Sequence, residues 1–122
     1  MLWLFKEEPE SYSYDDLVRD RETSWEGVKN NLALKYLRQV KKGDQIFFYQ
    51  TGDDKSVVGI MKALGDAYSN EKGEVSASKD IGVKVGPVKK LQNPVSLHEI
   101  KASPRFKDFL LVKISRLSIM PV

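Results

Sequence analysis

The sequence predicts an α+β fold, a small mixed β-barrel with short peripheral helices. Runs rich in β-branched and aromatic residues recur at 1–5, 46–51, 57–64 and 81–91. Two capping signatures, Ser13 with Asp16 and Ser96 with Glu99, each open only a short helical stretch. A length of 122 residues with no internal repeat or linker bounds one domain around one core, spanning 1–122. Small barrels fill their interiors with side chains, so a ligand binds at a mouth or rim. That favours a binding module over a deep-cleft enzyme.

The elements follow in order. Met1 to Phe5 is apolar and aromatic, a strand buried on both faces, broken by Lys6-Glu7-Glu8-Pro9-Glu10. Ser13 caps a helix from Tyr14 to about Asp20. Asn30 or Asn31 caps a second helix that turns Ala33, Leu34, Leu37 and Val40 inward and Lys35, Arg38 and Lys41 outward. Lys42-Gly43-Asp44 ends it. Residues 46–51 and 57–64 pair as antiparallel strands across the Gly52-Asp53-Asp54-Lys55 turn, and Gly59 marks a bulge or a close backbone approach. Tyr68 to Lys79 is polar and reads as a mobile connection. Residues 81–91 form an irregular strand, and Ser96 starts a short helix toward Lys101. Residues 109–122 read as a final strand pair or bulged strand, with Leu111, Ile114, Leu117 and Ile119 in the core.

Composition removes several chemistries. With no Cys there is no disulfide framework, no thiolate zinc site and no thiol catalysis. His98 is the only histidine, which excludes a His metal cluster and a Ser-His-Asp arrangement; inside a first helical turn it reads as a surface residue. There is no Gly-rich phosphate loop, metal-ligand spacing or nucleophile elbow, so no cofactor or metal is called for. No cleavable leader or membrane-length apolar run is present, and the expected setting is cytoplasmic, as a monomer. Net charge is only +3, but residues 1–30 carry four basic and eight acidic side chains. Between Lys79 and Arg116 nine basic residues stand against three acidic ones. Lys84, Lys89, Lys90, Arg105 and Lys107 are therefore candidates for phosphate contacts, which position a nucleic-acid backbone without reading its bases. The same charges also suit an ordinary solvated surface.

Trp25-Glu26-Gly27-Val28-Lys29-Asn30 is the most informative stretch. An indole face can stack on a heterocycle, and a carboxamide can give and take hydrogen bonds along a ring edge. Gly27 lets the backbone approach a ligand or take positive φ. A buried Trp, a turn Gly and an Asn cap explain the same six residues equally well. Tyr49 and Thr51 place two hydroxyls on one side of their strand by alternation. The acids Glu7, Glu8, Glu10, Asp15 and Asp16 suit solvation and a helix N-terminus, with Mg²⁺-dependent chemistry on nucleic acid as the competing reading. A small-molecule or protein-interaction module is a third.

The chain resembles the EVE domain family, which includes the thymocyte nuclear protein group and belongs to the PUA-like superfamily. The matching segments are Trp3-Leu4-Phe5-Lys6 with Glu8-Pro9, Tyr12-Ser13 with Asp15-Asp16-Leu17, and Trp25 to Asn30. Then come Lys42-Gly43-Asp44, Phe48-Tyr49, Val58-Gly59-Ile60, Pro94-Val95-Ser96-Leu97, and Arg116-Leu117-Ser118 with Pro121-Val122. They run in family order from end to end. The resemblance implies a PUA-like barrel that binds, without transforming, a modified base in DNA or RNA. By motif position, Lys6, Trp25, Gly27, Val28, Asn30, Tyr49 and Thr51 border its pocket. In that reading Trp25 stacks on the base, and Trp25→Ala removes selective binding while leaving the domain folded. Two departures stand out: Thr51 replaces a frequent Ser, and the segment after Tyr68 is short and lacks a later Trp. A pocket without that extra aromatic favours a modified pyrimidine, cytosine above all, over a methylated adenine.

Overall fold

The computed structural model describes residues 1–122. Its centre is the apolar strand β1 (Leu2–Glu7), in which Trp3, Leu4 and Phe5 are all buried. β1 pairs in parallel with β3 (Gln45–Gln50), with Phe5 beside Phe48 and Lys6 beside Tyr49. Parallel neighbours need a long crossover. Here it carries α1 (Tyr14–Asp20), β2 (Thr23–Trp25) and α2 (Asn31–Leu37). β4 (Ser56–Ala63) returns antiparallel to β3, and β6 (Ile81–Ser96) returns antiparallel to β4. β2 and the short β5 (Tyr68–Ser69) pair with the first part of β6, and β7 (Ile119–Pro121) covers the other edge of β1. The order β2-β6-β4-β3-β1-β7 is a mixed sheet curled into a half-barrel.

Local chemistry explains the helices. Ser13 and Asp16 form a reciprocal capping box on α1, and Ser96 and Glu99 form another on α3 (Leu97–Ala102). Asn30 caps α2 through Oδ1, which accepts from the Ala33 amide at 3.0 Å. Ala33, Leu34, Leu37 and Val40 are buried as the periodicity requires, and α2 packs on both β6 and β7. Arg38 departs from the outward expectation: it is partly buried and donates to the Ser78 carbonyl at 2.6 Å.

Gly59 satisfies both of its sequence readings. The β4–β6 register shifts between Val57 and Gly59, and a Cβ at Gly59 would lie 2.5 Å from the Tyr14 ring. Tyr14 in turn packs edge-on against Phe48 and donates to the Ile60 carbonyl at 2.6 Å.

Two further expectations need correction. Residues 109–122 are not a strand pair: they form α4 (Leu110–Lys113) and then β7, with Ile114 at 39% exposure instead of in the core. A short apolar run has no period long enough to separate helix from strand, and here the packing of α4 on α3 decides. The segment from Tyr68 to Lys79 is also tied down. Tyr68 pairs with Gly82, Val75–Ala77 forms a 3-10 turn, and the Asn70 amide donates to the Asp80 carbonyl at 2.9 Å.

Candidate functional site

The end of β1 divides the expected pocket in two. Successive strand residues face opposite sides, so Phe5 and Glu7 project to one side and Lys6 to the other. Phe5 and its neighbour Phe48 pack against Trp25, at ring-centroid separations of 5.4 and 5.5 Å. Lys6 projects away from them and sits over the Tyr49 ring, its Nζ 5.6 Å from the centroid.

On the Trp25 side lies a concavity of about 160 Å³ lined by Glu7, Tyr12, Thr23, Ser24, Trp25 and Glu26. Trp25 comes from β2, whose pairing with β6 sets Trp25 opposite Val83 and turns the indole inward. The ring is only 7% exposed, with its surface taken by Phe5 and Phe48. An open stacking platform is therefore not what this residue provides. Its N–H makes no hydrogen bond within the protein, and it is not among the buried unpaired polar atoms, of which Arg38 Nε is the sole example. The indole, which lines the concavity, thus keeps an unspent donor. Two carboxylates flank it. Burial pushes the half-buried Glu7 carboxyl above its usual range and the adjacent Glu8 charge adds to this, against a hydrogen bond from the Glu8 amide. Glu26 is held by one oxygen, Oε2, which accepts from Tyr68 Oη at 3.0 Å and Asn70 Nδ2 at 2.6 Å. Its other oxygen makes no hydrogen bond in the protein.

The remaining motif residues shape the loop. Gly27 has φ +78°, yet nothing lies within 4 Å of where a Cβ would stand, so positive φ, and not close approach, is what requires glycine there. Val28 packs partly buried against the core. Asn30 spends its Oδ1 on the helix cap and does not line the Trp25 concavity.

On the other side, Lys6, Tyr49 and Thr51 line a concavity of about 320 Å³ with Gly52, Lys55, Leu97, Lys101, Leu111, Val112 and Ser115. Tyr49 and Thr51 do share a face. They do not share it with Trp25, because Trp25 lies with Phe48 on the opposite side of β3. Burial lowers the Lys6 ammonium's pKa and raises that of the Tyr49 phenol.

The phosphate candidates also divide. Lys84 pairs with Glu22 at 3.8 Å and Lys90 with Asp15 at 2.7 Å, on the side of β2 and α1. Lys89 is exposed on the same strand, whereas Arg105 and Lys107 belong to the region of the 3-10 turn Pro104–Phe106 beyond α3. The acids of the N-terminal segment assemble no group of three that could hold a metal ion. His98 is exposed on α3.

The EVE domain family model matches residues 1–122. The chain belongs to the EVE domain family. A Rhodopseudomonas palustris protein solved by NMR superimposes on this EVE domain with TM-score 0.89 at 35% identity, covering 99% of this chain and 83% of that one. A crystal structure of the human THYN1 protein in complex with DNA containing 5-methylcytosine superimposes with TM-score 0.87 at 27% identity, over 99% of this chain and 90% of that one. By sequence, human thymocyte nuclear protein 1 is 29% identical over 98% of this chain and 68% of its own length. The chicken protein is 40% identical over 54% of this chain but only 32% of its own length, so the EVE domain spans a part of these longer relatives. An ASCH protein of Zymomonas mobilis, at 11% identity and TM-score 0.63, shares the fold alone. No helix is long and apolar enough to cross a membrane.

Sequence reasoning missed Glu7, Tyr12 and Glu26 beside Trp25, and Lys55 and Lys101 beside Lys6. A signal for the first was present: Glu7 and Lys6 alternate on one strand, so no single pocket takes both.

Proposed function

We propose that this chain is a non-catalytic EVE module that binds DNA through a modified cytosine, held on the Trp25 side of the sheet. The observation that carries this reading is a concavity that Trp25, whose N–H has no partner in the protein, lines together with Glu7 and Glu26. Cytosine offers a complementary edge: its exocyclic amine donates to a carboxylate, and its ring nitrogen and carbonyl accept from an N–H. A concavity of about 160 Å³ suits a single ring, being smaller than the roughly 300–1,000 Å³ of drug-sized sites. The human relative's complex with DNA containing 5-methylcytosine supports the same ligand class.

Burial of one methyl group adds about 0.8 kcal/mol, or about fourfold in affinity. The base must leave its stack to reach such a site, and a flipped or unpaired base avoids part of that cost. Lys84 and Lys90, beside β2 and α1 through Glu22 and Asp15, supply phosphate contacts, together with the exposed Lys89 of the same strand. Arg105 and Lys107 stand apart from them. With no nucleophile and base paired at the site, binding without transformation is the chemistry this arrangement supports.

The test is a panel of cytosine, 5-methylcytosine, 5-hydroxymethylcytosine and N6-methyladenine in matched DNA and RNA oligonucleotides. The proposal expects tightest binding to a modified cytosine in DNA, weakened about tenfold by Glu26→Gln through loss of a charge-assisted bond. A preference for methyladenine, or for RNA, sinks the ligand assignment.

A further inference from the structure

The lysine concavity on the opposite side of β1 belongs to no expected phosphate contact, and the base site does not use it. Three of its ten lining residues are lysines and none is acidic. None of Lys6, Lys55 or Lys101 makes an ion pair; the six salt bridges of the chain lie elsewhere. Lys6 sits on the floor, half-buried, its Nζ donating to the Ser115 carbonyl at 2.8 Å. An ammonium has three donors, so two remain. Burying a cation without an anion is costly, and the pocket supplies no carboxylate to offset it. Lys55 and Lys101 stand exposed at the rim. Lys55 is held in the left-handed region, φ +40°, with its carbonyl accepting from the Leu97 amide at 2.7 Å. A non-glycine residue kept there is strained, and such strain gathers at ligand sites. The Tyr49 and Thr51 side chains add hydroxyls, and Leu97, Leu111 and Val112 form an apolar wall.

We propose that this concavity is a phosphate-binding site, with Lys6 at its floor and Lys55 and Lys101 at its rim. The sites divide by charge. The Trp25 concavity carries two carboxylates and repels phosphate, whereas the lysine concavity has an unmatched positive charge and attracts it. The phosphate belongs either to a nucleic-acid strand passing the end of β1 or to a free phosphorylated molecule. The chemistry recognised is the same.

Inorganic phosphate titrated into the ¹⁵N-labelled full chain tests the site without reference to any modified base. Saturable shifts are expected at Lys6, Tyr49, Thr51 and Lys101. The double variant Lys55→Gln/Lys101→Gln should weaken binding about tenfold or more, whereas Lys72→Gln, outside the concavity, should not. Lys6→Met, which keeps the stem and removes the charge, should abolish it. An unmodified oligonucleotide then identifies the source. If the double variant lowers the slope of log K against log salt by about 0.7, the phosphate is a strand's. An unchanged slope with lost phosphate binding assigns the site to a free phosphorylated molecule. Absence of saturable shifts at these residues, or equal phosphate binding by the double variant and wild type, overturns the proposal.

Discussion

Replacing Trp25 with Ala tests the packing and the chemistry of the site together, because burial of the indole adds a stability cost to the binding loss that the sequence leads one to expect. The indole is 93% buried by its 7% exposure and meets two aromatic rings, Phe5 and Phe48. Truncating a buried Trp costs about 3–5 kcal/mol through lost transfer energy and the cavity left behind. A chain of 122 residues has roughly 6–18 kcal/mol of stability in all. The variant is therefore expected to lose roughly 10–25 °C in Tm, and its binding loss alone says little about base contacts. Trp25→Phe separates the two effects. It keeps a ring against Phe5 and Phe48 but removes the N–H, so it should stay folded under assay conditions and bind a modified cytosine about tenfold more weakly. Thermal unfolding by near-ultraviolet circular dichroism and titration of both variants make the measurement. A Tm for Trp25→Ala within about 3 °C of wild type refutes the core placement. Undiminished binding by Trp25→Phe refutes the donor role of the indole.

Gly59→Ala should destabilise by about 1–3 kcal/mol through overpacking, because its Cβ meets a Tyr14 ring tied by hydroxyl to Ile60; an unchanged urea midpoint contradicts this. For Asp44, burial raises the carboxyl's pKa, but hydrogen bonds from the Lys41 amide, the Trp3 indole and the Met1 ammonium outweigh it and leave the pKa lowered. Its stabilisation is thus present above the unfolded-state value of about 3.9 and lost as pH falls through the lower folded value. Asp44→Asn should flatten that acid limb in pH-dependent unfolding. Glu7 has the opposite sign. Its pKa is raised, mainly by burial, so the stability it contributes is greatest below the unfolded value of about 4.3 and is lost as pH rises to the folded one. Base affinity should run the other way and rise as Glu7 ionises to accept the cytosine amine. Glu7→Gln should remove both dependences, and affinity that still rises over this window in that variant assigns the effect to another group.

What was legible in the sequence was local. Ser13 with Asp16, Ser96 with Glu99 and the Asn30 cap each act within one turn, and all three helices start where these residues place them. The strands at β1, β3 and β4 follow from their β-branched and aromatic runs. The helix α4 did not, because Leu110–Lys113 is too short for its periodicity to count. The candidate site was half legible. Trp25 was found and the Glu26 next to it was not, and the side of the sheet that Trp25 takes depends on the pairing of β2 with β6, a contact between distant segments. The same holds for Lys55 and Lys101, which reach Lys6 only because the β3–β4 turn and α3 meet through the Leu97–Lys55 hydrogen bond.

The indole N–H signals provide the most direct test of where the base sits. The chain has two tryptophans, and the Trp3 Nε1 is occupied by Asp44 Oδ2 at 2.9 Å, so it serves as the internal reference. Titrating a 5-methylcytosine oligonucleotide into ¹⁵N-labelled protein should move the Trp25 Nε1–H signal and leave that of Trp3 in place. The unmodified oligonucleotide should reach the same shift at about fourfold higher concentration. A stationary Trp25 signal, with methylation-dependent shifts gathered instead at Lys6, Tyr49 and Thr51, would place the base on the other side of β1 and contradict the account.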